Sequence, residues 1–254
     1  MGPSQDGNHA NINYDKIFLM KKTVFSMIFI FLFLVFGCTK DDDPVNPDTI
    51  FHLGLTYGTV TDADGNTYKT IQIGTQTWMA ENLRTTKFND GTAIPNATTD
   101  MVWSQYTTGA YCWYNNDISN KPTYGALYNW FAVTDGHKIC PTGWHIPSDA
   151  EWATLISYLG GDAISGGKMK ETGTGHWFSP NKEADNSSGF TALPGGGRNM
   201  GGSFAFLGES GLWWSSTSKD SYEAWTRMIN YNYAWASHYG DFQSSGFSIR
   251  CIKD

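Results

Sequence analysis

Three kinds of hydrophobic patterning follow one another along the chain. From Val24 to Phe36 the residues are an almost unbroken apolar block, interrupted only by Ser26. Between Tyr57 and Asn82 short runs of alternating character are separated by Asp64-Gly65 and Gly74-Thr75, which predicts strand, turn, strand, turn, strand. Between Cys140 and Gly161 the period becomes helical. Trp152, Leu155, Ile156 and Leu159 share one face, Ser148 and Glu151 have the spacing of a capping box, and Gly160-Gly161 supplies a stop. Tyr124, Leu127, Tyr128 and Phe131 recur at similar spacing and predict an earlier helix over 123–133. A short strand is expected over 109–113 and a short helical piece near Lys168-Met169-Lys170. Gly-rich runs at 188–190, 193–198 and 201–202 read as loops, and 212–216, 224–231 and 246–252 as closing strands. This order predicts an α+β fold, an antiparallel sheet with two helices and long irregular loops.

The apolar block belongs to an address rather than to the fold. Met20-Lys21-Lys22 precedes it as a basic region, and it is too short to span a bilayer comfortably, so residues 20–37 read as a signal peptide. Val35-Phe36-Gly37-Cys38 resembles a bacterial lipobox, which makes Cys38 the expected lipid-bearing residue. Residues 1–19 have no pattern and are expected to derive from an upstream start codon. Residues 38–56 are Asp-, Asn- and Pro-rich and read as a flexible tether. Within it, Lys40-Asp41-Asp42 resembles the surface-export signal of Bacteroidota lipoproteins. The expected location is therefore the outer membrane, facing outward.

From Tyr57 to Asp254 several stretches, in order, resemble the Fibrobacter succinogenes major paralogous domain. They are Gln72 to Leu83 (QIGTQTWMAENL), Tyr124 to Trp130 (YGALYNW), Cys140 to Trp152 (CPTGWHIPSDAEW), Gly189-Phe190 through Pro194-Gly195-Gly196, Trp214 to Thr217, and Arg250-Cys251. That family is common in exported lipoproteins. Ile146 to Trp152, with Gly246-Phe247 and Arg250-Cys251, is also similar to the formylglycine-generating enzyme group, and this resemblance implies a C-type-lectin-like fold. Those enzymes use two active-site cysteines near the end of the domain. Here that region offers only Cys251, so the activity is not implied.

Charge and composition narrow the partners. With 24 acidic residues against 17 Lys and Arg, the net charge of −7 argues against nucleic acid or an anionic membrane surface as the ligand. The 11 Trp residues all lie beyond Cys38 and suit either an aromatic core or a sugar-binding face. Apart from Cys38, the odd set Cys112, Cys140 and Cys251 allows one bridge in three pairings. Cys140–Cys251 is favoured because it closes most of the domain, a constraint worth about 4–5 kcal/mol in the chain-entropy model.

No catalytic constellation, metal site or cofactor is expected. Asp62 to Asn66 lacks the Gly and terminal acid of an EF-hand, and Gly195 to Arg198 lacks the Lys-Ser/Thr of a phosphate loop. His145, Asp149 and Glu151 lie close in sequence, but helix capping accounts for both carboxylates. His52, His137, His176 and His238 show no ligand spacing. No Gly-x-Ser-x-Gly elbow occurs, and Cys112 reads as a core residue. The calcium-lectin motifs Glu-Pro-Asn, Gln-Pro-Asp and Trp-Asn-Asp are absent, with Trp214-Ser215-Ser216 standing where the last is expected. The functional expectation is a non-enzymatic, membrane-anchored binding or adhesion module. Its candidate partners are polysaccharides or surface proteins, met through Trp103, Tyr106, Trp235 and Tyr239. The rival expectations are a structural envelope lipoprotein and an enzyme with a reactive thiol at Cys112 or Cys251.

Overall fold

The computed structural model describes residues 50–254. The upstream extension, the signal peptide, the lipidation of Cys38 and nearly all of the tether lie outside the described residues. The end of the stretch read as tether belongs to the fold: Phe51 is buried, packs edge-on against Tyr57 at 5.3 Å and lies under the Lys69 ammonium.

Strands β1 (Gly58–Thr61), β2 (Thr67–Ile73) and β3 (Gln76–Met79) form the expected antiparallel meander. Gly65 and Gly74 carry the positive φ values its turns require. Asp62 closes the first turn, accepting the N–H groups of Asp64 and Asn66 at 2.9 Å and the Tyr68 hydroxyl. Helix α1 (Asp100–Gln105) is capped by Thr99 and followed by β4 (Tyr111–Cys112).

The helix expected over 123–133 does not form. In its place are α2 (Lys121–Tyr124), β5 (Leu127–Asn129) and α3 (Trp130–Val133). Gly125 breaks the run with φ +74, pressed so close to Leu83 and Asn82 that a Cβ would meet the Leu83 carbonyl at 2.7 Å. The Ala126 N–H then donates to that carbonyl, and β5 pairs with β4. Asn129 restarts the helix by accepting from Ala132 N. Tertiary pairing overrides a helical period that was only local.

After β6 (Trp144–His145) comes α4 (Asp149–Tyr158), the helix marked most fully in the sequence. Glu151 N donates to Ser148 Oγ at 3.3 Å and Ser148 N to Glu151 Oε2 at 2.7 Å, so the capping box is complete. Helix α5 (Asp162–Met169) starts well before the helical piece expected near Lys168. The remaining strands are β7 (Gly195–Arg198), β8 (Phe204–Leu207), β9 (Ser210–Ser218), β10 (Glu223–Asn230), β11 (Ala236–Phe242), β12 (Gly246–Phe247) and β13 (Ile252–Lys253). Gly195 to Arg198, read as a loop, is thus a buried strand. Gly197 lies so close to the Phe247 ring that a Cβ would meet it at 2.7 Å, and this contact requires the glycine. The segment 246–252 is not one strand, since its two ends pair in different sheets.

The class is α+β with two mainly antiparallel sheets. The smaller has the order β1-β2-β3-β13-β6, and the larger contains β11-β10-β9-β7-β12-β5-β4 with β8 beside β7. Cys140–Cys251 is bonded, with Cα atoms 5.9 Å apart across 111 residues, and Cys112 is a buried free thiol. The aromatic content goes mainly into the core. Trp78, Trp103, Trp113, Trp130, Trp152, Trp177, Trp213 and Trp214 are buried, Trp144 and Trp225 are half-buried, and Trp235 is exposed. Trp78 packs on Trp152 at 4.7 Å, and Phe190 lies within 6 Å of both. The Arg250 guanidinium covers Phe190 at 4.1 Å.

Candidate functional site

The aromatic residues expected to meet a ligand do not form one face. Trp103 is 1% exposed, its indole N–H donates to Ser244 O at 2.9 Å, and Arg198 covers its ring at 4.7 Å. It is a core residue, because a large ring with a partner for its N–H is better buried than wet. Tyr106 packs beside it, half-buried. Tyr239 is half-buried against the larger core cluster. Trp235 alone is well exposed, at 45%, and stacks on Tyr233 with centroids 4.2 Å apart and planes at 14°.

The three residues weighed as an acid/base group also divide. His145 Nε2 lies 2.9 Å from Glu151 Oε1, and its Nδ1 lies 2.7 Å from Asp254 Oδ1. Burial lowers the His145 pKa, but the hydrogen bonds to these two carboxylates outweigh it and the pKa is raised. Asp149 instead joins a different group. Its Oδ1 accepts from Arg227 Nη2 at 2.9 Å and lies 2.9 Å from His238 Nε2.

That second group lines an open groove of about 630 Å³ between helix and sheet. One wall is a single face of α4 and the turn after it: Asp149, Ala153, Ile156, Ser157 and Gly160, continuing to Asp162 at the start of α5. The opposite wall is Arg227 of β10 and His238 of β11, which sit opposite each other in the ladder. Strand alternation carries Trp225 to the same side as Arg227. Its ring lies 4.2 Å from the His238 imidazole at 30°, with the Lys219 ammonium 5.5 Å from its centre. The Asp149 N–H donates to Thr217 Oγ1, which fastens the start of α4 to β9.

The electrostatics of the groove follow from burial. Arg227 is only 4% exposed, and burial lowers its pKa against the pull of Asp149 and Asp162. A guanidinium with this partner stays charged. Burial and the adjacent Arg227 charge also lower the His238 pKa, so the ring is neutral at neutral pH. A neutral imidazole at 2.9 Å from a carboxylate donates from Nε2, leaving Nδ1 as an acceptor. Arg227 Nε is buried and makes no hydrogen bond.

Sequence reasoning did not single out Arg227, Asp162 or the role of His238. The available signal was a charged residue at an inward position of a strand otherwise read as apolar, Ala224 to Tyr231. Among the described residues no group of three or more His, Cys, Asp or Glu is placed to hold a metal ion. Cys112 is fully buried and its thiol is pushed up to about 12 by burial.

The fold defines an α+β domain of paired antiparallel sheets closed by a disulfide. The Fibrobacter succinogenes major domain matches residues 71–253, and the chain belongs to that family. No curated protein and no solved structure matches it.

Proposed function

We propose that the protein is an exported, lipid-anchored binding module at the outer surface of the outer membrane, engaging glycans without calcium on a C-type-lectin-like fold. The groove between α4 and the β10–β11 hairpin carries this reading. It offers hydrogen-bond donors and acceptors side by side in an open cleft, and a hydroxyl-rich ligand satisfies both kinds at once. The adjacent helices α4 and α5, the antiparallel sheets and the long irregular segments support the fold assignment. The lipobox-like Cys38 and the acidic tether behind it support the address. Cys251 is bonded to Cys140 and Cys112 is buried, which speaks against the reactive-thiol enzyme.

The test is a titration of the full chain, purified in detergent, against soluble polysaccharides with calcium or with a chelator, read by intrinsic tryptophan fluorescence. Saturable binding that survives the chelator is expected; binding that needs calcium, or a flat response to every glycan, would sink the reading. Cys38→Ala is expected to release the protein from the membrane fraction, and a variant that stays bound would refute the anchor.

A further inference from the structure

The groove allows a narrower statement that rests on the glycan reading. We propose that it binds an uncharged, linear, hydroxyl-rich glycan chain lying along α4, with Arg227 and Asp149 gripping adjacent hydroxyls.

Four observations converge on this ligand. The first is an unmet hydrogen bond. Arg227 is 96% buried by its 4% exposure, yet its Nε has no acceptor, while Nη2 is held by Asp149 at 2.9 Å. Buried donors without partners are rare and costly, and Arg227 lines the groove, so a ligand oxygen that the guanidinium shifts to meet recovers interaction energy forgone in the protein alone.

The second is charge. Two carboxylates, Asp149 and Asp162, face one guanidinium and one neutral imidazole. An anionic ligand is repelled by both carboxylates. A cationic ligand must approach the buried Arg227, and the nearer carboxylate already serves two donors on one oxygen. A neutral ligand avoids both conflicts.

The third is the dual character of the polar groups. Arg227 donates, Asp149 and Asp162 accept, and His238 Nδ1 accepts. A hydroxyl donates and accepts together, so vicinal hydroxyls bridge such a row in a way that an apolar or purely accepting ligand does not.

The fourth is shape. The α4 wall runs from Asp149 to Gly160, about 16 Å at the helical rise, and is open along its length. Ala153, Gly160 and Gly161 are short, so the C–H faces of sugar rings have a shallow floor to lie on. The Trp225 ring lies tilted against His238 and supports the imidazole from the side.

The test uses the full chain in detergent with chelator present, titrated with neutral xylan and β-glucan oligosaccharides, with polygalacturonate and with polylysine. Ala153 is exposed and touches the groove without entering the core, so A153F blocks the cleft while leaving the fold intact. The wild-type chain is expected to bind a neutral oligosaccharide, and A153F to weaken that binding at least about tenfold with unchanged melting temperature. Neutral-glycan binding that A153F does not weaken overturns the groove assignment and leaves the glycan reading standing. Preference for polygalacturonate or polylysine overturns the neutral-ligand assignment. Failure of the wild-type chain to bind any glycan overturns both the inference and the reading beneath it.

Discussion

Asn82 shows how few polar atoms hold this aromatic interior in one arrangement. Its Oδ1 accepts from the Trp213 indole and from Arg250 Nε, both at 2.9 Å, while its Nδ2 donates to Tyr124 O and Ser248 Oγ. Arg250 completes the network by donating to the carbonyls of Phe190 and Thr191. Removing the amide strands an indole N–H and a guanidinium N–H away from water. Asn82→Ala is therefore expected to cost about 3–5 kcal/mol, measured by urea unfolding. A loss below about 1 kcal/mol would mean that water replaces the amide. Lys170 plays a similar part elsewhere, fully buried with Nζ donating to the carbonyls of Lys182, Asn230 and Tyr233. The sequence marks neither role. An Asn before a loop and a Lys near a helix end both read as surface residues, and only long-range contacts such as Asn82 to Arg250 show otherwise.

At the scale of elements, α4 was legible because its signals are local: cap, first-turn acids, apolar face and glycine stop all lie within Cys140 to Gly161. Strand β11 was not legible, since Ala236 to Phe242 contains His238, Gly240 and Asp241 and gains its identity only by pairing with β10. The groove shares that fate, because one wall is the legible helix and the other the illegible strand. The capping box also couples α4 to β6 and to Asp254 through His145. The signs give a defined pH window. The raised His145 pKa makes a contribution fully present below 6.5 and lost as pH rises through the folded value. For Glu151, burial raises the pKa but Ser148 and His145 outweigh it. The net lowering adds stability above 4.5 that is lost as pH falls through the folded value. The stability difference between wild type and His145→Gln is thus expected to be largest near about pH 5.5 and to shrink by about pH 9. Equal unfolding midpoints for the pair of proteins at both pH values would refute the coupling.

At the scale of the molecule, the segment from Gly246 to Lys253 joins the two sheets. Its first residues pair with β5 and β7 and its last with β3 and β6. The disulfide locks this seam, and its 111-residue span makes the loop it closes large. Replacing Cys140 and Cys251 together by Ala is expected to remove about 4–5 kcal/mol, read as a lower urea midpoint in non-reducing buffer. An unchanged midpoint would mean that the sheet pairing alone closes the seam. Family membership was legible because its motifs are local in sequence, and α+β followed from the order of elements. The division into two sheets was not, since the closing run reads as one continuous strand until its ends are seen pairing on different sides.

The place of β13 between β3 and β6 also governs when this protein can become itself. The strand that lies between β3 and β6 in the smaller sheet follows both of them far down the chain, and so does the cysteine that Cys140 awaits. Until Ile252 docks, the opening meander has no neighbour on that edge and α4 has only part of its platform. A chain built this way closes its smaller sheet through its longest-range pairing, so folding is expected to be slow and to finish cooperatively once β13 docks.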